Sequence, residues 1–201
     1  MFPNIPFRRV DWISSSFLIG TFLLTITAVP WYLFTFQWDW FMFGMFVILY
    51  MCAGMSITVG YHRLFSHRAF KAKWPIRVFT LVFGAAAFEN SVLEWCSDHR
   101  NHHQYVDTDD DPYDISRGFL WAHIGWILFK LKTPPPLDNV SDLKRDPWIV
   151  WQHNWVHVIA FTIGFGLPTL AGYLYADLTG AMSVSQGLLG GFLIGGVARV
   201  T

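Results

Sequence analysis

Two long stretches without a single charged residue decide what this chain can fold into. Trp12 to Phe36 and Trp40 to Gly60 hold neither acid nor base, and only Gln37-Trp38-Asp39 separates them. Crossing the hydrocarbon core takes about 20 apolar residues in helical form, because the backbone polar groups must be satisfied within the segment. Both stretches reach that length. Trp148 to Tyr175 and, more briefly, Ser185 to Ala198 are also free of Lys, Arg, Asp and Glu. In the last of these, Gly191 and Gly195 form a small-xxx-small pair suited to close helix packing. The expectation is a multi-pass, all-α membrane protein: a single domain, residues 1–201, with about four transmembrane helices, at 12–36, 40–60, 148–175 and 185–198.

Charge sets the orientation. All 14 Lys and Arg precede the first apolar stretch, lie between the second and third, or sit at Arg199; the opposite loops hold only Asp39 and Asp177. The positive-inside rule therefore places the N-terminus and the polar segment 61–147 in the cytoplasm. Within that segment, Val78 to Phe88 is half the length of a span and reads as an interfacial or protein-buried helix. Gly118 to Leu131 reads as a short Trp-rich interfacial segment, and Pro134-Pro135-Pro136 as a rigid connector. Arg8 and Arg9 precede an apolar run longer than a signal peptide's, so that run reads as a helix that is kept. A formal net charge of zero argues against a nucleic-acid partner. Cys52 and Cys96 lie in unrelated segments and read as buried thiols.

Five of the eight histidines form two tight groups in the cytoplasmic segment. His62-Arg63-Leu64-Phe65-Ser66-His67 follows the second helix, and His99-Arg100-Asn101-His102-His103 follows the interfacial one. At about 100° per residue, His99, His102 and His103 share one helical face, with His102 and His103 diverging enough to reach two neighbouring metal ions. His62 and His67 differ by about 140° on an α-helix, so they converge only at a helix end or kink, or by straddling a site. Imidazole suits iron, zinc and copper, and no carboxylate pattern suggests a calcium or magnesium cage.

The remaining motifs read more plainly. His123 lies in an aromatic-rich segment, and His153 and His157 form an i, i+4 pair without a clustered third partner, which fits interfacial hydrogen bonding. The run Asp107-Thr108-Asp109-Asp110-Asp111 begins like a calcium loop, but Pro112 stands where glycine is needed. It reads as a solvated turn that supports the histidines from behind.

The histidine groups and their flanks resemble membrane fatty acid desaturases, specifically the acyl-CoA delta-9, stearoyl-CoA desaturase-like branch. GYHRLFSHRAFKA (60–72), NSVLEWCSDHRNHH (90–103), DPYD (111–114) and RGFLWAHIGW (117–126) carry the resemblance. It implies a centre of two iron ions with O2 as co-substrate, and His62, His67, His99, His102 and His103 as metal ligands. It also implies a bent tunnel for the acyl chain, lined near its bend by Trp95 and the segment around Glu89 and Asn90. Asp98 and Lys130 match positions near the headgroup of the acyl carrier. Glu89 stands where the animal enzymes have glutamine, Ser97 where they have arginine, and Leu131 in place of a second basic residue.

The activity so implied is oxygen-dependent introduction of a cis double bond, at delta-9, into a saturated acyl thioester or acyl-lipid during unsaturated fatty acid synthesis. A separate electron donor (ferredoxin, rubredoxin or cytochrome b5) is expected, because no haem motif or dinucleotide loop is present. The alternatives are a hydroxylase on the same scaffold or a catalytically incomplete metal-binding fragment. The family's third histidine box has no counterpart in these 201 residues, which reads as the N-terminal portion of a desaturase. The compact loops suggest a bacterial inner membrane rather than endoplasmic reticulum.

Overall fold

The computed structural model describes residues 9–111, 113–129 and 137–201. Among the described residues the elements are helical, apart from a bridge between Val10 and Phe129. Three helices among these residues are long and apolar enough to span a membrane: α1 (Trp12–Phe36), α2 (Trp40–Ser66) and α6 (Pro147–Thr179). Between α2 and α6 lie α3 (Trp74–Ala85), α4 (Val92–Tyr105) and the short α5 (residues 119–128). The last helix, α7 (Val184–Val200), has 17 residues. At 1.5 Å per residue it is about 25 Å long, short of a ~30 Å hydrocarbon core. The helix that holds residues 40–60 runs on to Ser66, and the one that holds 148–175 covers Pro147–Thr179.

Polar residues at the chain's turning points start the long helices and α4 and α7. Asp39 caps α2 by accepting from the Met42 amide at 3.0 Å. Ser91 and Glu94 form a capping box at the start of α4, and Ser183 and Gln186 form another on α7. These side chains occupy N–H groups that a first helical turn leaves without partners. Pro147 opens α6, where a proline gives up no intrahelical bond, and Asp146 accepts from Trp148 at 2.9 Å.

Packing at the end opposite the histidines joins the spans. Tyr32 of α1 donates to the Gln186 carbonyl at 3.2 Å, and Tyr175 of α6 donates to Asp39 at 3.3 Å. Helices α6 and α7 meet through glycine: a Cβ added to Gly172 would overlap the Gly187 carbonyl, and one on Gly191 would overlap Pro168. Close backbone approach replaces side-chain interdigitation here, as lipid-embedded helices favour.

The other end of the bundle builds a platform. Helix α3 is short, as expected for residues 78–88, and it packs Leu81 and Ala85 inward while Trp74 and Ile76 stay exposed. Tyr61, Leu64, Phe65, Leu81, Val92, Leu93, Cys96, Val140, Leu143 and Ile149 form one core. It bonds the end of α2 to α3, α4 and the start of α6. Both cysteines are free, Cys96 fully buried and Cys52 partly so. Phe88 precedes α4 with a φ of +62°, a conformation that bulky residues avoid. Its ring is held against Phe17 (4.7 Å) and against Phe161 and Phe165 (5.3 Å each), which holds the α3–α4 turn against α1 and α6.

Candidate metal centre

The last eleven residues of α2, Ser56–Ser66, form a π-helix. Its closing hydrogen bond runs from the His67 amide to the His62 carbonyl at 3.0 Å, an i→i+5 step. That step puts the two histidines one turn apart, and their rings stand 4.6 Å apart between centroids. An α-helix would have turned them away from each other; the wider turn brings them together.

Helix α4 supplies the other half. Nitrogens of His62, His67, His99 and His103 all lie within 4.8 Å of one another, and the group consists of imidazoles alone. His99 is its centre: its Nε2 is 3.0 Å from His67 Nε2 and 3.1 Å from His103 Nε2. Two nitrogens each ~2.1 Å from one metal stand about 3.0–3.4 Å apart, so these spacings fit shared coordination. Burial first, then the neighbouring rings of His62, His103, His67 and His102, hold His99 down to about 3. It is therefore neutral near pH 7, the form that binds metal. His67 is lowered for the same reasons, burial first, then His62, His103 and Arg100.

His102 stands apart from this group, its ring 6.3 Å from that of His99 and 5.5 Å from that of His103. Its Nδ1 donates to Asp111, 2.9 Å from Oδ1 and 3.0 Å from Oδ2. Asp111 is 1% exposed and also accepts from the amides of Asp107 and Tyr113, both at 3.0 Å. Burial alone would raise its carboxyl, but the His102 bond and these two amides hold it below the usual range. A carboxylate on one imidazole nitrogen fixes the tautomer and turns the other nitrogen outward as a donor. The acidic run thus supports a histidine from behind, through its last residue.

Trp95 covers the group. Its indole stacks on His99 with centroids 4.8 Å apart and planes 22° from parallel, while its N–H donates to Glu89 at 3.0 Å. Asn90, beside Glu89, has a φ of +67°, which asparagine tolerates better than most residues. Asp98 lies on α4 beside His99; burial, then Glu94, pushes its carboxyl up to about 6. Lys130, Leu131 and the Pro134–Pro136 connector lie outside the described residues.

The other histidines do not join. His153 pairs with the Ser91 hydroxyl at 2.7 Å, and the His123 ring stacks on Phe119 at 5.5 Å. Sequence reasoning missed the residues that hold the two boxes in place. Gln152, fully buried on α6, donates to the Tyr61 hydroxyl at 2.7 Å and accepts from the Val92 amide at 3.1 Å. Arg100 and Asn139 tie α4 to the turns before α6, Asn139 through the Ser97 carbonyl (2.9 Å), the Ser97 hydroxyl (2.7 Å) and Asn101 (3.0 Å). The only available signal for Gln152 was its place in a short polar group, Gln152-His153-Asn154, within an otherwise apolar helix.

Comparison with known proteins agrees with this arrangement. The family model for fatty acid desaturases matches residues 38–199. The chain is 38% identical over 196 residues to a probable acyl-CoA desaturase of Schizosaccharomyces pombe, covering 96% of this chain and 38% of that protein. It is 38% identical over 170 residues to acyl-CoA desaturase 1 of Saccharomyces cerevisiae, covering 82% of this chain and 31% of that protein. Against the stearoyl-CoA desaturase of Capra hircus the identity is 37% over 162 residues, 77% of this chain and 43% of that protein. The chain therefore spans less than half the length of each of these relatives. Their fungal and mammalian origin gives no support to a bacterial inner membrane. Four clustered imidazoles at the end of a membrane bundle, together with a family match over most of its length, show that this chain belongs to the fatty acid desaturase family.

Proposed function

We propose that the protein of which these residues form part is an oxygen-dependent acyl desaturase. It introduces a cis double bond, at delta-9, into a saturated acyl chain carried as a coenzyme A thioester. The observation that carries this reading is the meeting of two histidine boxes, from two different helices, in one group of imidazoles. Bound iron, with dioxygen as co-substrate, supplies the redox chemistry needed to take hydrogen from unactivated methylenes.

The chain's own groups hold and shape the centre. His62, His67, His99 and His103 would hold iron at the central group. His102 would be a fifth ligand, through the ring nitrogen opposite its bond to Asp111. Trp95, with Glu89 and Asn90, lines the path of the acyl chain beside His99, and Asp98 and Lys130 take part in binding the carrier's headgroup. The centre and the N-terminus lie on the cytoplasmic side in this reading, which the concentration of Lys and Arg in segment 61–147, against none in the opposite loops, supports. Electrons come from a separate donor protein of the ferredoxin, rubredoxin or cytochrome b5 kind.

The test is expression of the full reading frame in a desaturase-deficient host, with fatty acids analysed by gas chromatography. New cis-monounsaturated chains that vanish in the His99→Ala variant are expected. Folded, iron-loaded protein yielding hydroxylated chains would place the family scaffold in a hydroxylase instead, and no new product at all would refute the proposal.

A further inference from the structure

We infer that Arg100 is a positioning residue that sets the spacing between the two histidine boxes. This rests on the reading of the histidines as metal ligands. Arg100 lies within the second box, immediately after His99, yet its side chain leaves the imidazole face and runs to the end of α2. Its Nε donates to the Ser66 carbonyl at 3.3 Å and its Nη2 to the Phe65 carbonyl at 3.1 Å. These are terminal carbonyls of the π-helix, which the helix itself leaves unpaired, and His67 follows Ser66 directly. On its far side the guanidinium takes Asp142 in a two-pronged bond of 2.7 and 3.2 Å, and Nη1 also donates to the Asn139 carbonyl at 2.7 Å.

A guanidinium has five N–H donors in a rigid plane, and here all five are used. One side chain thus joins the π-helix that carries the first box, the helix that carries the second, and the turn leading into α6. The residues joined directly to its anchor points are His67 and His99, the pair whose nitrogens stand 3.0 Å apart. Asp142 accepts from Arg68 as well, at 2.8 Å, so the carboxylate balances two cations at the clamp. Lysine offers three donors from a single flexible point and cannot reproduce the planar grip.

The experiment compares wild type, Arg100→Lys and Met45→Ala in detergent micelles; Met45 is a core residue at the far end of the bundle. Cobalt(II) is titrated with its visible d–d bands as the readout, and amide exchange over residues 62–69 is measured without metal. Arg100→Lys is expected to bind cobalt about 10–100-fold more weakly, the range for groups that orient a metal's ligands. Its bound spectrum shifts, and the His67 and Ala69 amides exchange faster. Met45→Ala lowers the melting temperature but keeps affinity and spectrum. Arg100→Lys with wild-type affinity, spectrum and exchange overturns the inference, even if the variant melts earlier. A wild-type chain that binds no cobalt overturns the metal reading instead, and the exchange rates alone then decide whether Arg100 clamps the boxes.

Discussion

Replacing Gln152 with leucine tests how the membrane helix α6 supports the histidine-bearing elements. The side chain is fully buried, and leucine has a similar volume, so the cavity contribution is small and the effect is almost purely polar. Two bonds disappear, to the Tyr61 hydroxyl and from the Val92 amide. Val92 is itself 0% exposed, so its first-turn N–H has no water to turn to. A stranded buried donor costs about 1–3 kcal/mol, and weaker bonding of the Tyr61 hydroxyl adds to it, giving about 2–4 kcal/mol in all. Reversible unfolding in mixed micelles, with exchange of the Val92 amide as a local probe, measures it.

Gln152→Glu supplies the contrast. A carboxyl has the shape of the carboxamide it replaces, and in its protonated form it makes both bonds, its O–H donating to Tyr61 and its carbonyl accepting from Val92, so stability at low pH stays nearer wild type than that of Gln152→Leu. If Gln152→Leu lies within about 0.5 kcal/mol of wild type with Val92 still protected, then the carboxamide is not the link between α6 and the boxes.

Four further outcomes are expected. His99→Ala abolishes cobalt or iron binding at the central group, whereas His123→Ala leaves it unchanged; equal loss in both, by equilibrium dialysis, would show that position in the group is irrelevant. Asp111→Asn weakens metal binding about 10–100-fold by releasing the His102 tautomer, read by calorimetric titration; unchanged affinity would remove His102 from the ligand set. Gly187→Val drives a side chain into the Gly172 carbonyl and yields misfolded protein by size-exclusion chromatography, while a monodisperse peak at the wild-type position counts against the close α6–α7 contact. Cys96, whose thiol burial pushes up to about 12, resists maleimide at pH 8 until the chain is unfolded; prompt labelling, followed by mass spectrometry, contradicts its burial.

Much of this could be read from the residues because membranes impose simple rules. Uncharged length gave the three long helices, and the two boxes named all four histidines of the central group. That His62 and His67 could converge at a helix end was open in their spacing, but the means was not legible, since residue spacing assumes α-helical turns and cannot reveal a change of hydrogen-bond step. Asp111 was visible as one acid among four in a short run; its selection as the partner of His102 depends on which of them the turn buries. Arg100 looked like one more basic residue on the cytoplasmic side. Only the fold shows that its donors reach Phe65 and Ser66, and the same holds for Gln152, whose partners lie 91 and 60 positions away.

The widened turn at Ser56–Ser66 makes the centre sensitive to chain length as well as to residue identity. A helix that lost one residue ahead of His62 would slip its downstream frame by roughly 100° and about 1.5 Å. Every imidazole would still be present in the gene, yet His62 and His67 would no longer face His99 and His103. Comparable deletions in the acidic turn after α4 would be taken up by a few backbone torsions, provided that Asp111 still reached His102. Gaps in related sequences should therefore be scarce in the first box and common beyond the second, a pattern that residue-by-residue substitution scans would never reveal.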